Sequence, residues 1–348
     1  MMAEGKAKER IYYFDTFRFL AAMLVFTTHY IGAFCPGYFG YFYTFPYSIF
    51  LDGLSGKLGF STLCIILGLF AYRKGEKSRE NLLLMFLQRY LYFLVTAMFF
   101  YISAMLLHQL DMHVEGKKVI SVFLEQSFGL KYDFYHLFWC LMPMLLGTGI
   151  CYLLGRIKAG YIEVILMLLI FMILKQEWIA VSIAGAALFL VSRDEALDGY
   201  LNKWWLQLIL IFVPFALIHQ GPNESFKTDY LGALFAFCFI LVTMKNRYLR
   251  AFFNAKPWRL VNRTYFGIYI VHVLLYNTLG MKLFHGTFAN MAIAPRSLLV
   301  YAILAVALIL LAWPVDFCIN GISKGLNRLT STVYNEAVSL YKDKKERL

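Results

Sequence analysis

At 348 residues, with 60% hydrophobic side chains, only 16% charged ones and a mean hydropathy of +0.62, the chain is too apolar for a water-soluble domain, whose hydrophobic share sits nearer about half and whose charged share sits nearer ~25%. Its net charge of +12 does not point to nucleic acid, because the basic residues fall between apolar runs, where they act as topology signals and line no groove. The six cysteines, at positions 35, 64, 140, 151, 238 and 318, form no CxxC or CxxH pair and read as small buried hydrophobes.

The apolar residues are arranged in ten runs, roughly 16–35, 50–72, 86–107, 134–155, 161–175, 177–192, 204–219, 228–245, 259–280 and 296–318. Each is near the ~20 residues that cross hydrocarbon as an α-helix, although the fifth, sixth and seventh are short. The first run is not a cleavable signal, since Arg18 stands early in it and no A-x-A site follows. Between the fifth and sixth, Lys175-Gln176-Glu177-Trp178 reads either as a tight outer turn or as an interruption within one helical region. Aromatic residues mark many run ends, as in Tyr12-Tyr13, Tyr38 to Tyr47 and Trp204-Trp205, which suits the interfacial belts of a membrane protein. The expected fold class is all-α: a polytopic integral membrane protein of about ten transmembrane helices. It forms a single domain over 1–348, with a helical core at about 11–318 and a basic tail at 319–348. The longest outer loop is expected at about 108–133, and no soluble domain or internal repeat is visible.

Charge orients the chain. Numbering the gaps alternately from the inside puts 24 basic residues within and 8 without, and Arg18, inside the first span, completes the 33. The positive-inside rule then predicts both termini in the cytoplasm.

The first run carries the most informative pattern. Arg18 and His29 are eleven residues apart, which at ~100° per residue is three turns plus about 20°, so both project from one helix face, separated by a rise of roughly 16 Å. Asp15, three residues before Arg18, shares that face, and Ala22 between them leaves room for a groove. A plain structural reading exists, in which Arg18 snorkels to the inner headgroups and His29 hydrogen-bonds near the outer interface. The shared face favours function, because an Arg inside a span costs about 2.5–3.5 kcal/mol or more and ionisable residues at that depth mark functional sites by default.

Further along, Tyr265, Tyr269 and His272 are spaced four and three apart and share a face. His108, His113, His219 and His285 fall in outer loops or at span ends and read as solvated. No Gly-x-Ser-x-Gly or Cys–His nucleophile arrangement, no Walker-type phosphate loop and no metal-ligand spacing is present.

These segments together resemble the acyltransferase-3 family of membrane-embedded acyltransferases that modify cell-surface glycans. Asp15-x-x-Arg18-x10-His29 is similar to that family's first-helix signature. Gly56-Lys57-Leu58-Gly59-Phe60 through Leu67-Gly68-Leu69-Phe70 is similar to its glycine-started second helix, with Leu67-Gly68-Leu69 where the family usually has Ser-Gly-Phe. Phe86-Leu87-Gln88-Arg89 resembles the basic start of its third helix, with Tyr92 and apolar residues where a second Arg and a Pro often follow. His136-Leu137-Phe138-Trp139 resembles its fourth-helix start. Asn262-Arg263-Thr264-Tyr265-Phe266-Gly267-Ile268-Tyr269-Ile270-Val271-His272 resembles its Ser-Tyr-x-x-Tyr-x-x-His segment, with Thr264 for Ser. The resemblance runs from about residue 11 to residue 318.

The resemblance implies an acyltransferase of the bacterial cytoplasmic (inner) membrane. It would move an acyl group, most often acetyl, from cytoplasmic acyl-CoA to a hydroxyl of an extracytoplasmic carbohydrate, a surface glycan or glycolipid. No cofactor is held permanently; acyl-CoA is the donor substrate. His29 is the expected general base, since imidazole titrates nearest working pH, with His272 as a second candidate. Arg18 would hold the donor phosphates, helped by Arg73, Arg89 or Arg263, while Asp15 orients Arg18. Tyr265, Tyr269, His136 and Trp139 would line the substrate cavity. The alternative from another class is a transporter or flippase of acylated or lipid-linked sugars, which mid-depth polar residues suit equally well.

Overall fold

The structure is a computed structural model that describes residues 12–34, 54–77, 81–106, 141–220 and 225–346. Those residues are almost entirely helical, joined by short turns, and contain no strand. In chain order the helices are α1 (Tyr12–Phe34), α2 (Leu54–Lys77), α3 (Leu82–Leu106), α4 (Leu141–Arg156), α5 (Tyr161–Ile173), α6 (Glu177–Arg193), α7 (Glu195–Leu201), α8 (Trp204–Gln220), α9 (Ser225–Lys245), α10 (Arg247–Phe253), α11 (Lys256–Val261), α12 (Tyr265–Leu275) and α13 (Ile293–Glu346). Two π-helical segments, Tyr276–Gly280 and Leu283–Thr287, extend α12.

Among the described residues, five helical stretches are long and apolar enough to cross a membrane: Tyr12–Phe34, Gly56–Lys77, Leu82–Phe100, Tyr265–Thr287 and Ile293–Ser339. Two bent pairs raise the number to seven if each counts as one span. In these, α7 meets α8 at 84° and α9 meets α10 at 101°. Of the remaining expected spans, the fifth and sixth are short helices of 13 and 17 residues, and the start of the fourth lies outside the described residues. With 13 residues, α5 reaches only about 20 Å at 1.5 Å per residue, against a hydrocarbon core of ~30 Å.

Local chemistry sets the breaks at the ends of these apolar runs. Asp194 adopts an extended backbone and its Oδ1 accepts the amides of Ala196 and Leu197 at 2.9 and 3.3 Å, starting α7. Asn246 starts α10 in the same way, accepting from Tyr248 and Leu249 at 2.9 and 3.1 Å. An N-cap needs a non-helical backbone, so each cap turns the chain. The ambiguous segment at Lys175 is a tight turn. Lys175 takes the left-handed conformation (φ 55°), and the amides of Leu174, Lys175 and Gln176 return to the carbonyls of Ile170, Met172 and Phe171, as a helix-terminating turn requires.

Helix α2 is the hub of the bundle, packed by α1, α4, α6 and α9. Three of its glycines explain how one helix accepts so many neighbours. A Cβ on Gly59 would stand 2.5 Å from the Ala21 carbonyl oxygen of α1, one on Gly68 would stand 1.8 Å from the Ser182 carbonyl oxygen of α6, and one on Gly75 would stand 2.1 Å from the Tyr152 carbonyl oxygen of α4. The partners reciprocate: a Cβ on Gly185 would meet the Ile65 carbonyl at 2.1 Å, and one on Gly155 would meet the Tyr72 carbonyl at 2.1 Å. Lipid tails are as apolar as Leu, so helices in a bilayer associate through close backbone approach and dispersion, for which small residues are needed. The core around α2 includes the fully enclosed Ile65, Ile66, Tyr152, Ile183 and Leu188.

A second group, α3, α12 and α13, packs on the other side of α1. Thus α1 lies between the hub and this group, with Phe14 and Phe17 in one core and Phe26 and Phe34 in the other. The stripe of Asp15, Arg18 and His29 is positioned by that junction. The last helix does not stop at residue 318. It runs 54 residues to Glu346, about 80 Å at 1.5 Å per residue, through the segment read from sequence as a separate tail. Gln88 Nε2 donates to Ser331 Oγ at 3.0 Å, and Asn81 bonds the Tyr334 hydroxyl, holding this continuation against α3.

Candidate functional site

Arg18 is held on three sides. Its Nη1 donates to Asp15 Oδ1 at 2.9 Å, and the guanidinium lies over the rings of Phe70 and Tyr265, 5.2 and 5.6 Å from their centroids. Asp15 is buried and Arg18 is half-buried. The i, i+3 spacing brings the acid to the base, and the ring faces attract the cation. The pairing expected between Asp15 and Arg18 is therefore present.

Arg18 opens on a cleft of about 70 Å³ formed by α1, α2, α3, α4 and α12. Arg89, Tyr92 and Phe93 line it from α3; Phe60, Leu63 and Leu67 from α2; Met144 from α4; and Tyr265, Phe266 and Tyr269 from α12. Two guanidiniums and a ring of aromatics thus stand in the cleft against otherwise apolar walls. Of the four expected donor-binding arginines, Arg18 and Arg89 share this cleft. Arg73 and Arg263 are not among its lining residues; Arg263 stands exposed in the turn before α12, and Arg73 lies on α2 within electrostatic reach of Tyr13.

Further along α1, His29 meets His272 of α12, their ring centroids 5.1 Å apart and their planes 37° from parallel. The two histidines singled out from sequence, 243 positions apart, thus form one pair. His29 is exposed, whereas His272 is fully buried. The His272 Nδ1 lies 3.2 Å from the Ile268 carbonyl oxygen. A carbonyl can only accept, so Nδ1 carries the hydrogen, and in the neutral ring Nε2 keeps its lone pair. That Nε2 is buried and has no hydrogen-bond partner among the described residues. Tyr269 bridges the two halves of the site, lining the cleft and lying 5.9 Å from the His272 ring, centroid to centroid. Tyr265 and Tyr269 therefore face the cleft, while His272, a turn further on, faces His29. Four residues after His272, at Tyr276, the chain passes into the first π-helical segment, a departure from α geometry that recurs at functional sites.

His136 and Trp139, expected to line the cavity, lie outside the described residues, as does the 108–133 loop. Most of the apolar and aromatic lining carries no sequence signal as a site. Phe60 and Tyr92 gave no signal beyond aromaticity. Asp316 did, as an acid alone in the apolar run 296–318. It is buried, and its Oδ1 accepts the Gly267 amide at 3.0 Å.

The arrangement thus combines an aromatic cleft that holds two arginines with a pair of imidazoles, both built against α1. No family model matches this chain, and neither do the curated proteins or the solved structures with which it was compared.

Proposed function

We propose that the protein is a membrane-bound O-acyltransferase that transfers an acyl group, most simply acetyl, from cytoplasmic acyl-CoA to a hydroxyl of a carbohydrate on the far side of the membrane. The observation that carries this reading is the pairing of His29 with His272 on the same α1 face that presents Arg18 to the cleft. A sugar hydroxyl becomes a competent nucleophile when a base takes its proton as it attacks, and a positioned imidazole is suited to that role. Guanidiniums suit the phosphates of the donor. The rise of roughly 16 Å between Arg18 and His29 is comparable to the reach of a pantetheine arm. The nucleotide end would bind near Arg18 and Arg89, with the thioester carried toward His29. The hydroxyl oxygen then bonds to the acyl carbon as the imidazole takes its proton, the carbon–sulfur bond breaks, the imidazolium returns that proton to the departing sulfur, and CoA leaves as the thiol. The direct test is acyl transfer from labelled acetyl-CoA by the purified protein, combined with mass spectrometry of surface glycans from cells with and without it.

The orientation belongs to the same reading. Both termini lie in the cytoplasm and the 108–133 loop lies outside, in a bacterial inner membrane, as the 24-to-8 distribution of basic residues requires under the positive-inside rule. Single cysteines at positions 4 and 346 are expected to resist an impermeant thiol reagent in intact cells. Labelling at either would reverse the orientation.

Donor binding should depend on charge. Arg18→Ala is expected to weaken acyl-CoA binding about 10-fold or more, the range for a lost hydrogen bond to a charged group. Affinity of the unaltered protein should also fall as salt rises, because charge contacts are screened. Titration calorimetry at two ionic strengths measures both, and a salt-independent affinity would contradict the assignment of Arg18.

The bent pairs α7–α8 and α9–α10 are the feature that favours a transporter of acylated or lipid-linked sugars, since broken helices recur in transporter binding sites. Substrate movement across vesicles without acyl-CoA turnover would select that reading.

A further inference from the structure

Asp316 lies deep in α13, two residues after Pro314, and only 5% of it is exposed. A carboxylate in a membrane-spanning stretch is expensive, so its surroundings should show what holds it there. Its Oδ1 accepts the backbone N–H of Gly267 at 3.0 Å. Gly267 is the third residue of α12, and the amides of a first helical turn have no acceptor within their own helix. The usual capping position is Thr264, but its hydroxyl donates to the Val261 carbonyl at 2.7 Å and caps nothing. The first turn of α12 is therefore capped by another helix. The missing side chain of Gly267 makes this possible: a Cβ there would stand 2.3 Å from the Ala312 carbonyl oxygen, one turn before Asp316 on α13. A carboxyl oxygen has the partial negative charge that a helix N-terminus favours. The second oxygen, Oδ2, is buried without a hydrogen-bond partner among the described residues, and Tyr92 of the cleft lies within electrostatic reach of both Asp316 and Arg18.

We propose that Asp316 is a positioning residue: by holding the Gly267 amide it fixes the start and rotation of α12, and so aims Tyr265 and Tyr269 into the Arg18 cleft and His272 at His29. The contact is a property of the fold, and only its effect on turnover rests on the acyl-transfer reading.

The test uses the full-length protein in lipid nanodiscs, with hydrogen–deuterium exchange over peptides covering 265–270 and acetyl transfer measured in parallel. Asp316→Leu removes the acceptor and should speed exchange there about 10-fold or more, in proportion to the lost hydrogen bond, and lower transfer by a comparable factor. Asp316→Asn keeps a carbonyl acceptor of the same shape and should restore both exchange protection and transfer to within about 3-fold of the starting protein, allowing for the weaker neutral bond. Unchanged exchange in Asp316→Leu would overturn the cap. So would an Asp316→Asn protein that keeps its protection but loses transfer, because the charge and not the positioning would then be what matters. Should the leucine variant fail to fold, Asp316→Asn still decides, since unprotected amides at 265–270 in that protein refute capping by the carbonyl acceptor. Exchange is read independently of turnover, so absence of acyl transfer in the unaltered protein would remove the reaction and leave the contact standing.

Discussion

Replacing His29 by alanine is expected to lower acyl transfer by roughly 10²–10⁴-fold, the usual contribution of a positioned acid–base group, with little change in folding or in donor binding. Folding should survive because His29 is exposed, so its removal leaves no buried cavity. Donor binding should survive because the cleft that holds Arg18 and Arg89 does not include His29. His272→Ala is the informative comparison. His272 is fully buried and bonded through Nδ1 to the Ile268 carbonyl, so its removal should cost stability as well as rate, and thermal stability must be measured beside turnover. The rings touch, so the two substitutions should not be additive: residues that act as a unit lose most of their effect with the first removal. Turnover of purified variants at saturating acetyl-CoA provides the measurement. Near-normal turnover in His29→Ala with abolished turnover in His272→Ala would move the base to α12. Activity retained in both would exclude the mechanism.

Gly68→Ala is expected to destabilise the protein by about 3 kcal/mol or more, the upper range for overpacking a well-filled core. The reason is geometric. The new methyl would stand 1.8 Å from the Ser182 carbonyl oxygen, and a backbone oxygen cannot rotate away as a side chain can, so α2 and α6 must separate. Separation would loosen the Cys151 Sγ contact to the Ser182 carbonyl, now 3.3 Å, and pull Gly185 off the Ile65 carbonyl. In a bilayer little drives the helices back together once this close packing is lost. Gly199→Ala is the control, because a Cβ at Gly199 in α7 meets nothing within 4 Å and alanine there should be neutral or mildly stabilising on helix propensity. Both proteins can be compared by size-exclusion chromatography after graded heating in detergent. A Gly68→Ala protein that melts with the unaltered one would show that the α2–α6 crossing is not closely packed.

Much of this site was legible in the sequence because it is written within single helices. The Asp15–Arg18 pair and the common face of Arg18 and His29 follow from the 3.6-residue repeat alone, and the pair forms as that repeat requires. The helical class follows equally directly, since apolar runs near ~20 residues suit membrane-crossing helices, whereas a barrel strand needs about half that length. The span count was less legible. Hydropathy measures how long an apolar run is, whereas helix length depends on where the backbone hydrogen bonding is interrupted. Asp194, Asn246 and the left-handed Lys175 interrupt it at the ends of apolar runs, where the chain bends or turns back. The same limit hid the continuation of α13, whose polar second half stays helical to Glu346.

By itself, then, the sequence determined the helical class and the residues on the α1 stripe, because these depend on neighbours within a few turns. Only the tertiary structure decided that His272 meets His29, that Arg89 shares the Arg18 cleft while Arg73 and Arg263 do not, and that Asp316 caps α12. Those contacts join residues 49 to 243 positions apart. They depend on which glycines let which backbones approach, at Gly59, Gly68, Gly75 and Gly267. That choice is made by the fit of whole helix surfaces, and no local periodicity encodes it.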